Sequence, residues 1–207
     1  MSYVDVHSHI LPHLDDGSKN MDETLRMLEI AADEGISAII ATPHYKSGRY
    51  PADSDRILHT LHQVQQVADA HKIPITLYPG NEIYYNSELE EKFETGRLCT
   101  LNDSEYVLVE FSPFEQYIYI RNAMEDIMGL GYTPVLAHVE RYQCICKDAS
   151  LVEELRAMGC QIQVNASSVA GENGFATTRF VHKILKKHLV DYIGTDAHNT
   201  EIGRAHV

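Results

Sequence analysis

The chain has 207 residues, 44% of them hydrophobic and 23% charged, and 17 Lys+Arg against 30 Asp+Glu give a formal net charge of −13. This is the profile of one globular domain, large enough to bury a core without a disulfide framework, and the acidic balance argues against nucleic acid as the main ligand. Nothing in the sequence approaches a membrane span, the start MSYVDVHSHI lacks the basic and apolar regions of a secretory signal, and four cysteines without a paired CxxC suggest a cytoplasmic setting.

Taken in order, Tyr3–Ile10 reads as a strand. Met21, Leu25, Leu28 and Ala32 then follow helical spacing, with Asn20 and Glu23 placed to cap this helix and Gly35 to end it. Ala38–Pro43 is the second strand, and the stripe Ile57, Leu61, Val64 and Ala68 marks the second helix. Ile75–Ile83 and Tyr106–Phe111 are strands three and four, and a helix is expected from about Gln116 to Met128. Pro134–Val139 is strand five. Ser150 with Glu153 forms a capping box for a helix that Gly159 stops. Gln161–Val164 and Val190–Gly194 are strands six and seven, separated by a helix that carries Val181, Ile184 and Leu185. Alternating strands and helices predict an α/β fold with parallel strands, either a barrel or a doubly wound sheet. The first turn, HSHILPHLDDG, holds neither a dinucleotide fingerprint nor a P-loop.

The chemistry sits where the strands end. They close in turn on His7-Ser-His9, His44, Asn81-Glu82, Glu110, His138-Val-Glu-Arg141, Asn165 and Asp196-Ala-His198. In a parallel barrel the C-terminal strand ends converge on one face, so these groups are aimed at one pocket. Alternate strand residues share a side, so His7 and His9 can grip one ion, as can Asp196 and His198. One histidine after a strand is ordinarily a hydrogen-bonded structural residue, but so many strand ends bearing ligand types favour a metal site. His13, His59, His62 and His71 read as loop or surface residues, and Cys99, Cys144, Cys146 and Cys160 as structural. Carboxylates with imidazoles suit Mn, Fe, Zn or Mg better than a soft sulfur site.

These motifs resemble the polymerase-and-histidinol-phosphatase (PHP) family. More narrowly, HSHILPHLDDGS, ATPHY, PGNEIY, HVERY and TDAHN resemble its manganese-dependent bacterial protein-tyrosine phosphatases of capsule and exopolysaccharide loci. The resemblance implies a distorted (β/α)7 TIM-like barrel (the PHP fold) over residues 1–201, its last element missing, and three divalent metal ions, Mn foremost with Fe, Zn or Mg as alternatives. The first metal would take His7, His9, Glu82 and Asp196. Glu82 would bridge to a second, with Glu110 and His138, and the third would take Asp16, His44 and His198. Arg141 would meet the substrate phosphate. Three divalent ions outweigh the four carboxylates, so the centre can hold a phosphate even in an acidic protein. Hydrolysis would use a metal-activated hydroxide, with no cysteine nucleophile.

The expected substrate is a phosphotyrosine protein, the tyrosine-rich tail of a bacterial tyrosine kinase. The alternatives are a histidinol-phosphate or other small-molecule phosphomonoesterase, and a non-catalytic metal-binding module. Nucleic acid and membrane insertion are not expected. Tyr45, Tyr50, Tyr84, Tyr85, Tyr117 and Tyr119 fall in or near loops on the metal-bearing face, where they either pack or stack on a substrate ring. Departures from the family pattern at Tyr45, Val139 and Thr195 adjoin the ligands without replacing them. The hexapeptide Ile202–Val207 is what a common sequencing-library adapter encodes, and it is expected to be a non-native read-through.

Overall fold

The structure, a computed structural model, describes residues 2–86 and 88–200. The expectation for residues 202–207 lies outside them. Ten strands alternate with helices in the described residues. Strand β1 (Tyr3–Ser8) leads to α1 (Met21–Asp33), β2 (Ile36–Ala41) and a small hairpin, β3 (His44–Lys46) with β4 (Tyr50–Pro51). Helix α2 (Ser54–Ala70) precedes β5 (Thr76–Pro79), β6 (Glu82–Tyr84), the short α3 (Leu89–Glu94) and β7 (Tyr106–Glu110). Then come α4 (Tyr117–Gly129), β8 (Thr133–Leu136), α5 (Ala149–Met158), β9 (Gln161–Asn165), the short α6 (Ala166–Ala170), α7 (Phe175–Lys186) and β10 (Tyr192–Gly194).

All strand pairs are parallel except β3–β4. One ladder runs β1-β2-β5, and a curled seven-stranded sheet runs β10-β9-β8-β7-β6-β3-β4. The predicted second strand, Ala38–Pro43, stops at Ala41 and is followed by a separate strand from His44, and the predicted third, Ile75–Ile83, is broken into β5 and β6. The first break falls at Thr42-Pro43 and the second at Gly80-Asn81, where the chain crosses from the short ladder to the long one. Proline has no N–H to donate to a ladder. The gap is closed instead by Thr42, whose N–H donates to Ser8 O, and by Glu82, whose N–H donates to Pro43 O. The Asn81 side chain also donates to Pro43 O and Ala52 O. As a result His44 and Glu82 open β3 and β6 as direct register partners.

The other edge of the curled sheet meets β1. Ser8 and Ala197 form a parallel bridge, Asp196 N donates to His7 O at 2.8 Å, and His9 N donates to Ala197 O at 2.9 Å. Two-residue periodicity sorts the side chains. On β7, Val107 and Val109 join the large core beneath α4, α5 and α7. Tyr106 and Leu108 point the other way, into a small apolar cluster with Leu101, Val135, Ala137 and Ile40. Glu110, next on that inner face, belongs to the polar end. A separate core joins α1 and α2 to β2, β5 and the segment after β1, through Ile10, Leu11 and Leu14.

Helix termini follow the sequence with one correction. Asn20 accepts from Glu23 N, and Gly35 adopts φ +85° just past α1. Gly159 ends α5 at φ +112°. The α5 cap, however, is Asp148, whose carboxylate accepts from both the N–H and the hydroxyl of Ser150. The Asp side chain reaches the first orphan amides better from outside the turn than Ser150 can from within it. Short α3 and α6 carry too few turns to leave a periodic signal in the sequence. No helix of the described residues is long and apolar enough to cross a membrane.

Two glycines let the chain close around the polar end. A Cβ on Gly17 would lie 2.2 Å from His9 O, and one on Gly194 would lie 2.6 Å from His7 Cβ. Gly17→Ala and Gly194→Ala are each expected to cost about 1–3 kcal/mol as overpacking. Urea denaturation measures this, and a midpoint equal to that of the wild type would contradict it.

Candidate metal centre

His7 and His9 leave the end of β1 with alternate spacing and are wholly buried. Glu82 opens β6, Glu110 closes β7, and His44 opens β3. His138 and Asp196 sit just beyond β8 and β10, both in left-handed backbone, with φ of 34° and 53°. That conformation costs an ordinary L-residue roughly 1–2 kcal/mol, so surrounding structure has to impose it. It turns both side chains back toward the bundle of strand ends. For His138 this corrects the expected strand, which stops at Leu136 rather than Val139.

The side chains converge. His7 Nε2 lies 3.2 Å from His9 Nε2, 3.2 Å from Glu82 Oε2 and 3.4 Å from Asp196 Oδ1. His9 Nε2 is 3.2 Å and 3.3 Å from the same two oxygens. His44 Nδ1 stands 3.0 Å from both Glu82 Oε2 and Glu110 Oε1. His138 Nε2 is 2.8 Å from Glu82 Oε1 and 4.0 Å from Glu110 Oε2. Asp16 Oδ1 lies 3.5 Å from His44 Nε2 and 3.8 Å from His198 Nε2. All nine side chains anticipated as ligands therefore meet in one cluster.

Three subsets have ligand atoms within 4.8 Å of one another: His7, His9, Glu82 and Asp196; His44, Glu82 and Glu110; and His9, His44 and His198. The first matches the expected grouping. In the second, His44 stands where His138 was expected, and in the third His9 stands where Asp16 was expected. No cysteine enters these groups. All four cysteines are free, and burial pushes the Cys99 and Cys160 thiols up to about 12, which leaves them poor nucleophiles.

Donor chemistry tests whether cations fit here. Two ligands about 2.1 Å from one ion stand about 3.0 to 3.4 Å apart, the spacing seen at the cluster floor. Glu82 Oε2, Asp196 Oδ1 and His44 Nδ1 are buried with no hydrogen-bond partner, although they face the cluster. An acceptor buried in this way costs free energy unless a cation or proton serves it. The residues present fit divalent metal ions.

One contributor escaped the sequence reading. Asp15, next to the anticipated Asp16, buries its carboxylate so that Oδ2 accepts from His9 Nδ1 at 2.7 Å and from His44 N at 2.8 Å. Its other oxygen accepts from Gly17 N. His9 is thereby held with Nε2 toward the cluster, the carboxylate–histidine arrangement common behind metal ligands. The DDG triplet was the available signal, but nothing in it says which aspartate turns inward.

Electrostatics reflect the crowding. Burial disfavours the charged form of His44, but the Glu110 and Glu82 carboxylates, 3.0 Å from its Nδ1, outweigh it and raise its pKa to about 10. Burial likewise opposes charge on His9, and Asp15, Asp196 and Glu82 hold it well above the usual imidazole range. Glu82 is driven well below the carboxylate range by His7, His138 and His44 in spite of its burial. Asp15 falls to about 2, burial being overcome by His9 and the Gly17 and His44 amides. His198 is lowered, first by burial and then by His9.

Six tyrosines separate into two kinds. Tyr45 is core. Tyr85 donates to Asp126 and packs on Phe111, and Tyr117 donates to Leu151 O. Tyr50 stacks on the His44 ring, with ring centroids 5.6 Å apart, and Lys46 Nζ lies 3.6 Å over the Tyr84 ring. Tyr119 is exposed.

The family described as "Capsular polysaccharide synthesis, CpsB/CapC" matches residues 3–206. The chain belongs to the CpsB/CapC family. Among its curated relatives is the tyrosine-protein phosphatase CpsB of Streptococcus pneumoniae, 34% identical over 203 residues, covering 96% of this chain and 84% of the relative. The tyrosine-protein phosphatase YwqE of Bacillus subtilis is 33% identical over 204 residues, covering 98% and 80%. A solved structure from work on YwqE and CpsB, described as unique metal-dependent tyrosine phosphatases, superposes with a TM-score of 0.92 at 32% identity, covering 98% and 83%. A putative histidinol phosphatase from Listeria monocytogenes shares the fold, with a TM-score of 0.58 at 11% identity over 98% of both chains.

Two outcomes follow for a CpsB/CapC chain built this way. In the metal-free protein the neighbouring carboxylates push His44 up to about 10 and raise His9, and a metal takes only neutral imidazole, so loading is expected to release protons and to weaken as pH falls from 8 to 6. Calorimetric Mn titration in buffers of different ionisation enthalpy reads this directly, and a buffer-independent heat would refute it. Asp15→Asn is expected to weaken metal binding about 10- to 100-fold by removing the carboxylate behind His9, measured by competition with a chelator.

Proposed function

We propose that this chain is a metal-dependent protein-tyrosine phosphatase. It acts in the cytoplasm on a phosphotyrosine protein, the tyrosine-rich tail of a bacterial tyrosine kinase that governs capsule or exopolysaccharide synthesis. One observation carries the reading: buried, unpartnered carboxylate and imidazole atoms converge at cation spacing in a member of the CpsB/CapC family. We assign three divalent ions, most simply Mn, to His7, His9, Glu82 and Asp196; to Glu82, Glu110 and His138; and to Asp16, His44 and His198. We also read the curled sheet as a distorted (β/α)7 barrel, a reading supported by the Ser8–Ala197 bridge between its two ends.

When bound, such cations supply Lewis acidity that makes water nucleophilic near neutral pH and offsets phosphate charge. The chain does the rest. Its floor of His7, His9, Glu82 and Asp196 is sealed from solvent, while Asp16 and Arg141 have side chains 50% and 48% exposed at the rim. This gradient leaves an open mouth, which suits a tyrosine carried on a protein. Arg141 Nη2 donates to Asp196 Oδ2 at 2.7 Å, so its guanidinium is anchored and its remaining donors are free to grip phosphate oxygens. Tyr50, held flat on His44, offers a face for the substrate ring. A phenolate leaves readily, since its conjugate acid has a pKa of about 10, so protonation of the leaving oxygen contributes little.

Phosphotyrosine peptide should be hydrolysed in preference to histidinol phosphate when both are assayed side by side with Mn. The reverse preference would sink the substrate assignment. Arg141→Ala should lower kcat/KM by roughly 10- to 100-fold when measured at saturating Mn. Glu82→Gln should lose both metal and turnover, and a Glu82→Gln protein as active as the wild type would refute the metal reading.

A further inference from the structure

Strand β9 supplies none of the nine candidate ligands, yet its side chains contact two of them, His7 and Asp196. Gln163, on β9, is wholly buried. Its Oε1 accepts from the backbone N–H of His138 at 2.6 Å, and its Nε2 donates to the backbone carbonyl of Val164 at 2.8 Å. Those two backbone groups have unalterable roles, one a donor and the other an acceptor. They leave the Gln163 amide only one orientation.

Everything it touches inherits that polarity. Oε1 also lies 3.2 Å from His7 Nδ1. A carbonyl oxygen cannot donate, so Nδ1 must carry a proton, and in the neutral ring that a metal takes His7 Nε2 has the lone pair for the cluster. On the other side, Nε2 donates to Asn165 Oδ1 at 3.0 Å. Asn165 therefore presents Nδ2 to Asp196 Oδ2, at 2.8 Å. The Asn165 backbone is itself pinned, its N–H donating to buried Glu140. With Oδ2 engaged by Asn165 and Arg141, Asp196 keeps Oδ1 as its buried unpartnered atom.

We propose that Gln163 is a positioning residue which, from two backbone anchors, sets the His7 tautomer directly and the Asp196 carboxylate through Asn165, so that His7 Nε2 and Asp196 Oδ1 face one cation. The proposal rests on the metal-centre reading above and assigns a role to a strand that supplies no ligand.

The test uses the full chain and two readouts: imidazole ¹⁵N shifts of the metal-free protein, followed upward in pH until the His7 ring, whose pKa burial opposes but Glu82 and Asp196 raise, is neutral, and Mn affinity by chelator competition. Wild type should show His7 as the Nδ1–H tautomer. Gln163→Met, near in volume but without a polar amide, should lose that preference and bind Mn at least tenfold more weakly. Gln163→Glu still offers an oxygen to His7 Nδ1 and His138 N, so it should restore the tautomer; it also serves as the probe if the Met variant fails to fold. Asn165→Asp should leave the His7 tautomer unchanged while weakening Mn binding at least tenfold, because only the Asp196 arm is cut. An unchanged tautomer and unchanged affinity in Gln163→Met would overturn the proposal alone. A wild type that takes up no Mn would overturn the metal reading and this proposal together, and a wild-type His7 in the Nε2–H form would overturn the proposal even with metal bound.

Discussion

Carboxylate oxygens and imidazole nitrogens crowded together away from water form the constraint on which this structure depends. Glu82, Asp196, His7 and His9 are all buried, and Glu82 Oε2 and Asp196 Oδ1 are acceptors without a donor. Left to themselves such groups repel or capture protons, and the raised imidazoles with the depressed carboxylate of Glu82 show the second outcome in the metal-free chain. Desolvating each charge costs several kcal/mol, which only a close opposite charge offsets. A cluster of this kind persists because the apolar packing around it is extensive enough to carry the cost.

That packing lies mostly outside the curled sheet. The large core joins α4, α5 and α7 to the outward faces of β6 through β9, and a second joins α1 and α2 to β2, β5 and the segment that follows β1. Only a small apolar cluster fills the concave side, and beyond it the same strand faces turn polar. Alternation along one strand thus serves two ends: Tyr106 and Leu108 fill the interior, and Glu110 reaches the site. The fold and the centre are built from the same two-residue period.

Behind the ligands stands a second layer of buried polar groups. Asp15 orients His9, Asp5 accepts from Thr195 and His7 N, and Glu140 accepts from Asn165 N. The HVERY motif divides along this line. Arg141 stands at the rim, while Glu140 and Tyr142 turn inward, the latter receiving Phe111 N at its hydroxyl. Two residues of the motif therefore support the ladder ends while a third faces the rim.

Much was legible in the chain itself. His7-x-His9, His44, Glu82, Glu110, His138 and Asp196-x-His198 follow apolar runs, and parallel topology brings strand ends together, so their meeting needed no coordinates to anticipate. Helices α1 and α2 announced themselves through apolar spacing and caps. The breaks at Pro43 and Gly80, the left-handed turns at His138 and Asp196, and the choice of Asp15 over Asp16 as the inward carboxylate did not. Sequence by itself determined which residue types stand at which strand ends, because periodicity and turn chemistry are local. Tertiary structure alone decided which nitrogen of each imidazole and which oxygen of each carboxylate faces the centre. For His7 and Asp196 that choice is made by hydrogen bonds from β9, partners far away in the chain and brought near only by the packing of the strands.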